Sequence, residues 1–198
     1  MIEYNEEKND IKYKEILKEI IKYGNSELKS NLKRFKINIE KSYGVSIKDL
    51  RKIAKGIGKD HDLAMKLWDS GIREAKILAS MIDDPELVTS EQMETWANDF
   101  DSWDVCDECC TNLLAKTRFA YEKAIIWSKS DKEFVKRAGF VLMANIARHR
   151  KDIDKDQLLA FINEIKLNKN ENRPIVKKAI EWALREIRKR EIEYTKRA

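Results

Sequence analysis

The sequence predicts an all-α protein, and three observations carry that prediction. Proline and glycine are scarce, two and six residues in a chain of 198, so few positions stop a helix. Lys, Glu, Ile, Leu and Ala are abundant, and all but the β-branched Ile are strong helix formers. Apolar side chains recur at three- and four-residue spacings instead of alternating. Hydrophobic residues make up 42% and charged residues 38%, which is enough apolar surface to build a core despite the high charge.

A first helix is expected over about 11–23, where Ile11, Ile16, Leu17, Ile20 and Ile21 form a stripe and Gly24-Asn25 a stop. A second is expected over 26–39, ending before Tyr43-Gly44-Val45. Ser46 is a good N-cap for a third, with Asp49 at the third helical position; this helix carries Leu50, Ile53 and Ala54 into Gly56-Ile57-Gly58. Further helices are expected over 61–68, 72–82, 90–100, 103–116, 118–127, 132–149, 156–167 and 174–194. Short polar connectors separate them and no low-complexity linker intervenes, so 1–198 reads as a single domain.

Weak internal similarity adds an architecture. Arg73-Glu74-Ala75-Lys76-Ile77-Leu78, Lys136-Arg137-Ala138-Gly139-Phe140-Val141 and Lys177-Lys178-Ala179-Ile180-Glu181-Trp182 each place a charged pair, an alanine and a mostly apolar stretch in that order. The last two alanines stand 41 residues apart, near the ~40–47 residue period of HEAT repeats. Helix pairs stacked at that period form a solenoid whose concave face follows a large ligand. Helical periodicity alone would also fit a compact bundle.

Several classes of function are excluded or disfavoured. No apolar run approaches the ~20 residues of a membrane span, and residues 1–10 are too acidic and polar for a secretory signal. Three cysteines, Cys106, Cys109 and Cys110, do not make a disulfide framework; a reducing cytoplasm is the expected location. They fall on the apolar side of their helix with no nearby histidine, so no metal site is expected. Gly56-Ile57-Gly58 lacks the strand and lysine of a phosphate loop, and His61 and His149 stand apart from any nucleophile pattern.

Charge is unevenly distributed. From Lys136 onward there are 17 Lys plus Arg against 9 Asp plus Glu, whereas the residues before it carry a net −3. A basic C-terminal third suits a polyanion, and it equally suits a solvated lysine-rich surface. In the last helix Val176, Ala179, Ile180, Ala183, Leu184 and Ile187 form the buried face, while Lys178, Trp182, Arg185 and Lys189 gather opposite. A tryptophan among cations makes sense as a platform between phosphate-holding groups; the alternative is that another helix covers it. In the helix from 132, apolar almost all round, Arg137, Val141, Ala144 and Arg148 share a stripe. Arg137 needs a partner there, either a DNA phosphate or an internal acid.

The segment Asp99-Phe100-Asp101-Ser102-Trp103-Asp104-Val105-Cys106-Asp107-Glu108 stands out. Ser102 is placed to cap a helix whose apolar face is Val105, Cys106, Cys109 and Leu113, with Trp103 and Asp107 four apart at its edge. No Lys or Arg occurs between Met81 and Cys110, so these acids lack local partners. An acid beside an aromatic face suits a cationic target, and a base alkylated on a ring nitrogen is such a cation. Cleaving its glycosidic bond develops positive charge on the sugar, which a fixed carboxylate can stabilise while placing water. The plainer alternative makes Asp107 one more surface acid.

Trp103-Asp104-Val105-Cys106-Asp107 resembles the Trp-Asp-x-x-Asp element of the AlkD-like DNA alkylation repair family, the HEAT-like alkylpurine DNA glycosylases. Lys136-Arg137-Ala138 is similar to that family's helix with a DNA-contacting arginine. Residues 179–186 (Ala-Ile-Glu-Trp-Ala-Leu-Arg-Glu) are similar to its C-terminal helix; Leu67-Trp68-Asp69 and Arg73-Glu74 also fit. The resemblance runs in order from about Arg34 to Arg190. It implies an α-α superhelix with a concave basic face that hydrolyses the N-glycosidic bond of cationic N3- or N7-alkylated purines in duplex DNA, without metal or organic cofactor.

On that resemblance Asp107 stabilises the sugar cation and positions water, and Trp103 and Trp182 flank the lesion; these three are the candidate catalytic residues. Arg137 and Arg185 hold DNA, joined by Lys178, Lys189, Arg148 and Phe35. Phe35 stands where a tyrosine is expected, which removes a hydroxyl contact, and the end at Ala198 suggests a shorter C-terminus than in longer members. The partner expected is double-stranded DNA carrying alkylated bases, bound by a monomer, with no membrane. Two other functions compete: a non-catalytic HEAT-repeat protein that binds damaged or bent nucleic acid, in which Asp107 is dispensable, and a protein–protein scaffold.

Overall fold

Polar side chains cap five of the helices at their N-termini. In a computed structural model, which describes residues 2–35 and 37–197 and side chains within 9–35 and 37–192, the described residues form α-helices and one 3-10 turn, with no strand. Met1, Lys36 and Ala198 lie outside the described residues. The helices are α1 (Ile2–Lys22), α2 (Ser26–Arg34), α3 (Ile47–Ile57), α4 (His61–Asp69), α5 (Arg73–Ile82), α6 (Ser90–Asn98), α7 (Trp103–Asn112), α8 (Ala120–Trp127), α9 (Glu133–His149), α10 (Lys155–Leu167) and α11 (Pro174–Arg197), with the 3-10 turn Leu114–Lys116 after α7. Asn25, Ser46, Asp60, Thr89 and Asp154 accept hydrogen bonds from the exposed N–H groups of α2, α3, α4, α6 and α10.

Contacts divide the chain into two units, Met1–Val88 and Thr89–Ala198. In the first, α1 packs on α4 and α5, and α3 and α4 pack on α5. Ile20, Leu50, Leu63, Leu67, Trp68, Ile77 and Leu78 are fully buried there. Helix α5 is buried nearly all round, and it takes charge inside with it: Arg73, Glu74 and Lys76 are all buried. Glu74 resolves its own burial by hydrogen bonding. Its Oε1 accepts from Ser42 Oγ (2.7 Å), Gly44 N–H (3.1 Å), Val45 N–H (3.3 Å) and Arg73 Nη1 (3.0 Å), and its Oε2 accepts from Tyr43 N–H (3.0 Å). One carboxylate therefore shapes the loop into α3, where Gly44 adopts φ 75° and a Cβ would lie 2.3 Å from the Asn25 carbonyl.

In the second unit α9 is the central helix, with α6, α7, α8 and α11 packed on it. Its residues from Arg137 to Ala147 are all buried, in agreement with the near-continuous apolar pattern. Gly139 marks the closest approach to α8: a Cβ there would lie 2.5 Å from the Ser128 amide nitrogen and 2.9 Å from Trp127 backbone. The thiols of Cys106, Cys109 and Cys110 are free and buried, and burial pushes those of Cys106 and Cys110 above their usual range.

Four local expectations change, the first being that α1 begins at Ile2 and not near residue 11. Helix α2 stops at Arg34, with Phe35 as its C-cap, although the sequence pattern predicts a helix to 39; Asn38, Glu40 and Lys41 form a polar connector instead. Helix α7 ends at Asn112 and tightens into the 3-10 turn before 116. Ser102 occupies the N-cap of α7 but makes no side-chain capping bond, and its buried Oγ has no hydrogen-bond partner. An N-cap serine ordinarily contributes ~1 kcal/mol. Here Ser102→Ala is expected to be neutral or slightly stabilising, because it removes a buried unsatisfied hydroxyl. A urea unfolding midpoint lowered by a typical capping loss would refute that expectation.

A candidate active site on α7 and α9

The candidate site begins with the geometry of α7. Residues four apart share a helix face, so Trp103 and Asp107 sit side by side at the rim of the buried Val105–Cys106–Cys109 face, each half-buried. Helix α9 packs against α7 and brings Arg137 to the same place. The Arg137 guanidinium lies 5.8 Å from the Trp103 ring centroid, and it grips Asp107 as a fork: Nε to Oδ1 at 2.8 Å, Nη2 to Oδ2 at 2.7 Å. Its remaining nitrogen, Nη1, donates to the Ile175 carbonyl in the first turn of α11. All three guanidinium nitrogens are thus engaged.

The electrostatics follow from burial. The Arg137 side chain is 7% exposed and that of Asp107 21%, so Arg137 serves as the buried partner and Asp107 presents the accessible edge. Burial pushes the Asp107 carboxyl above its usual range; the Arg137 hydrogen bonds pull it back only in part, and Asp104 and Glu108 push it further up. Asp107 has no cation near it in sequence, yet it is paired, because α9 delivers one across 30 residues. Of the two partners open to Arg137 in the sequence, the internal acid is the one it holds in the structure, and this arginine is not extended toward solvent.

The other candidates lie at stated places. Trp182 is half-buried on α11, and among the described residues it makes no hydrogen bond, ion pair or ring contact. Lys178, Arg185 and Lys189 on the same helix are exposed, as is Arg148 at the end of α9. The buried face of α11 is Val176, Ala179, Ile180, Ala183 and Ile187, with Leu184 half-buried. It also includes Glu186, an acid with no apolar signature, which accepts from Lys189 Nζ at 2.9 Å and lies 3.8 Å from Arg185 Nε. Phe35 is exposed and belongs to the first unit. The structure therefore gathers Trp103, Asp107 and Arg137 in direct contact.

Sequence reasoning missed the Ile175 carbonyl and Glu171, an acid in the connector before α11 that pairs with Arg173 and Lys136. A backbone carbonyl has no residue signature, and Glu171 lies in an Asn- and Lys-rich connector that reads as solvated loop. Among the described residues no group of His, Cys, Asp and Glu is arranged to hold a metal ion, and no helix is long and apolar enough to cross a membrane.

A family model described as DNA alkylation repair enzyme matches residues 16–198. The chain belongs to that family. This DNA alkylation repair family member is 31% identical over 101 residues to an uncharacterized protein of Listeria monocytogenes, and 30% identical over 101 residues to one of Listeria innocua. Each alignment covers 50% of this chain, which spans only 45% of the length of either relative. A solved structure described as a new family of proteins related to the HEAT-like repeat DNA glycosylases, with affinity for branched DNA structures, superposes with a TM-score of 0.83. That match covers 93% of this chain and 79% of the other at 20% identity, and it establishes the HEAT-like fold of the family member.

Proposed function

We propose that this protein is a DNA glycosylase that hydrolyses the N-glycosidic bond of cationic N3- or N7-alkylated purines in duplex DNA, acting as one HEAT-like domain. The observation that carries the reading is a largely buried carboxylate with one accessible edge, Asp107, clamped beside the Trp103 indole by a buried arginine. A fork-shaped pair occupies one lone pair on each carboxylate oxygen and leaves a second on each. The oxygens can therefore still face the developing cation at the sugar and accept a proton from attacking water. The bond from the base nitrogen to C1′ breaks, the base leaves as a neutral purine, and water oxygen bonds to C1′ as its proton passes to Asp107 or solvent. Because the substrate base is already cationic, no acid is needed to protonate the leaving group.

Membership of the family supports the reaction class, and the exposed Lys178, Arg185, Lys189 and Arg148 supply cations for the phosphate backbone. The assay is release of free 7-methylguanine or 3-methyladenine from methylated duplex DNA; tight DNA binding with no base released sinks the reading. The joint substitution Lys178→Ala and Lys189→Ala is expected to weaken binding to duplex of any sequence. It should also flatten the dependence of log affinity on log salt by about one for each phosphate no longer neutralised. An unchanged salt slope would remove these lysines from the interface.

A second reading has its own observation. Every nitrogen of Arg137 and both oxygens of Asp107 are committed within the protein, the pattern of a structural ion pair. On that reading the protein binds damaged or branched DNA without cleaving a glycosidic bond, the wild type releases no base, and neutral substitutions at Asp107 alter stability alone.

A further inference from the structure

We propose that Glu171 is a positioning residue for the candidate site, acting by locking the start of α11 so that the Ile175 carbonyl holds the third nitrogen of Arg137. Glu171 lies in the connector between α10 and α11, and its side chain is only 6% exposed. Its Oε1 accepts from the backbone N–H groups of Asn172 (3.1 Å) and Arg173 (3.0 Å) and from Arg173 Nε (2.8 Å). Its Oε2 accepts from Arg173 Nη2 at 2.7 Å and lies 3.3 Å from Lys136 Nζ. Arg173 in turn donates through Nη1 to the Asp131 carbonyl, ahead of α9. These bonds hold the Glu171 carboxyl far below the usual carboxylate range.

Two features turn this cluster from loop trim into a device acting on the site. The ion pair to Lys136 sits on α9 directly beside Arg137, and Pro174 and Ile175 follow Arg173 without a break. A carboxylate four residues before Ile175 therefore ties the segment leading into α11 to the first turn of α9, next to Arg137. A planar guanidinium held at all three nitrogens has one orientation; released at Nη1, it can swing as a rigid plane about the Cγ–Cδ and Cδ–Nε torsions and loosen the fork on Asp107. Glu171 bonds to neither Asp107 nor Arg137 but to Asn172, Arg173 and Lys136, so its influence runs through the Ile175 carbonyl and Arg137.

The proposal rests on the site assignment, but its first readout does not depend on catalysis. In wild-type protein the Arg137 Nε–H proton should give a resolved NMR signal in slow exchange with water. Glu171→Gln keeps the size and removes the charge. It should speed that exchange at least tenfold and lower single-turnover base release about tenfold, with affinity for unmodified duplex unchanged. If Glu171→Gln lowers solubility, Lys136→Met, which removes only the α9 leg, should produce the same changes at smaller size. Arg137 Nε–H exchange that is unaltered in both variants overturns the positioning role. If the wild type releases no base but the exchange rates change as stated, the glycosylase reading fails and the positioning of Arg137 by Glu171 stands.

Discussion

Asp107→Asn is expected to cut base release from methylated duplex by about a hundredfold or more, the order seen when one preorganised electrostatic interaction with a transition state is removed. Asparagine keeps the shape and one carbonyl acceptor for Arg137, so the substitution removes charge with little change in volume. It also leaves Arg137, 7% exposed, without its counter-charge. Removing one member of a buried pair costs ~3–5 kcal/mol when the other stays buried, and the cost here should be smaller because Asp107 keeps a solvent edge and Arg137 keeps its bond to the Ile175 carbonyl. Activity must therefore be compared well below the melting transition, with circular dichroism showing the helices intact. Asp107→Glu is the companion variant: it retains charge but moves it by a methylene, and should recover stability more than rate. Full base release by folded Asp107→Asn protein would remove Asp107 from catalysis.

The largest stability effect is expected from Glu74→Ala in the first unit. Its carboxylate accepts hydrogen bonds from Ser42, Tyr43, Gly44, Val45 and Arg73, and both Glu74 and Arg73 are buried. Truncation removes the carboxylate that pairs with the buried Arg73 and leaves three backbone N–H groups without the acceptor that organises them. By the measure of buried pairs broken on one side, the loss is ~3–5 kcal/mol. Glu74→Gln, which retains one acceptor and the volume, should lose less, and Ser42→Ala about 1 kcal/mol. Urea unfolding with a probe in the first unit measures all three. A Glu74→Ala midpoint indistinguishable from wild type would show that water replaces the carboxylate at no cost.

These two acids illustrate what a sequence can and cannot disclose. Asp107 is visible because it combines local features: a tryptophan four residues before it, a serine at the helix start, and a segment devoid of cations. Glu74 is visible only as half of a charged pair before an alanine, and its depth is hidden because helix α5 is buried nearly all round. Periodicity identifies a face only where a polar face contrasts with it. On α11 that contrast exists, and five of the six expected core positions are buried. Glu186 joins them against its type, since Lys189 and Arg185 fold back over it. The unfulfilled cap at Ser102 has a similar cause: the residue type is right for the position, but packing fixes the side chain where it reaches no N–H group.

Apart from the start of α1 and the ends of α2 and α7, the sequence by itself determined that the chain is helical and where most of the helices lie, together with the apolar face of α11 and the edge of α7 that carries Trp103 and Asp107. Each of these follows from interactions between residues three or four apart, which spacing records directly. The tertiary structure alone decided that Arg137 belongs to Asp107, 30 residues away, that a carbonyl of α11 completes its coordination, and that Glu171 ties the helix starts together. Those pairings depend on where helices cross, and a crossing is set by the fit of whole buried surfaces, for which no short stretch of sequence holds the pattern.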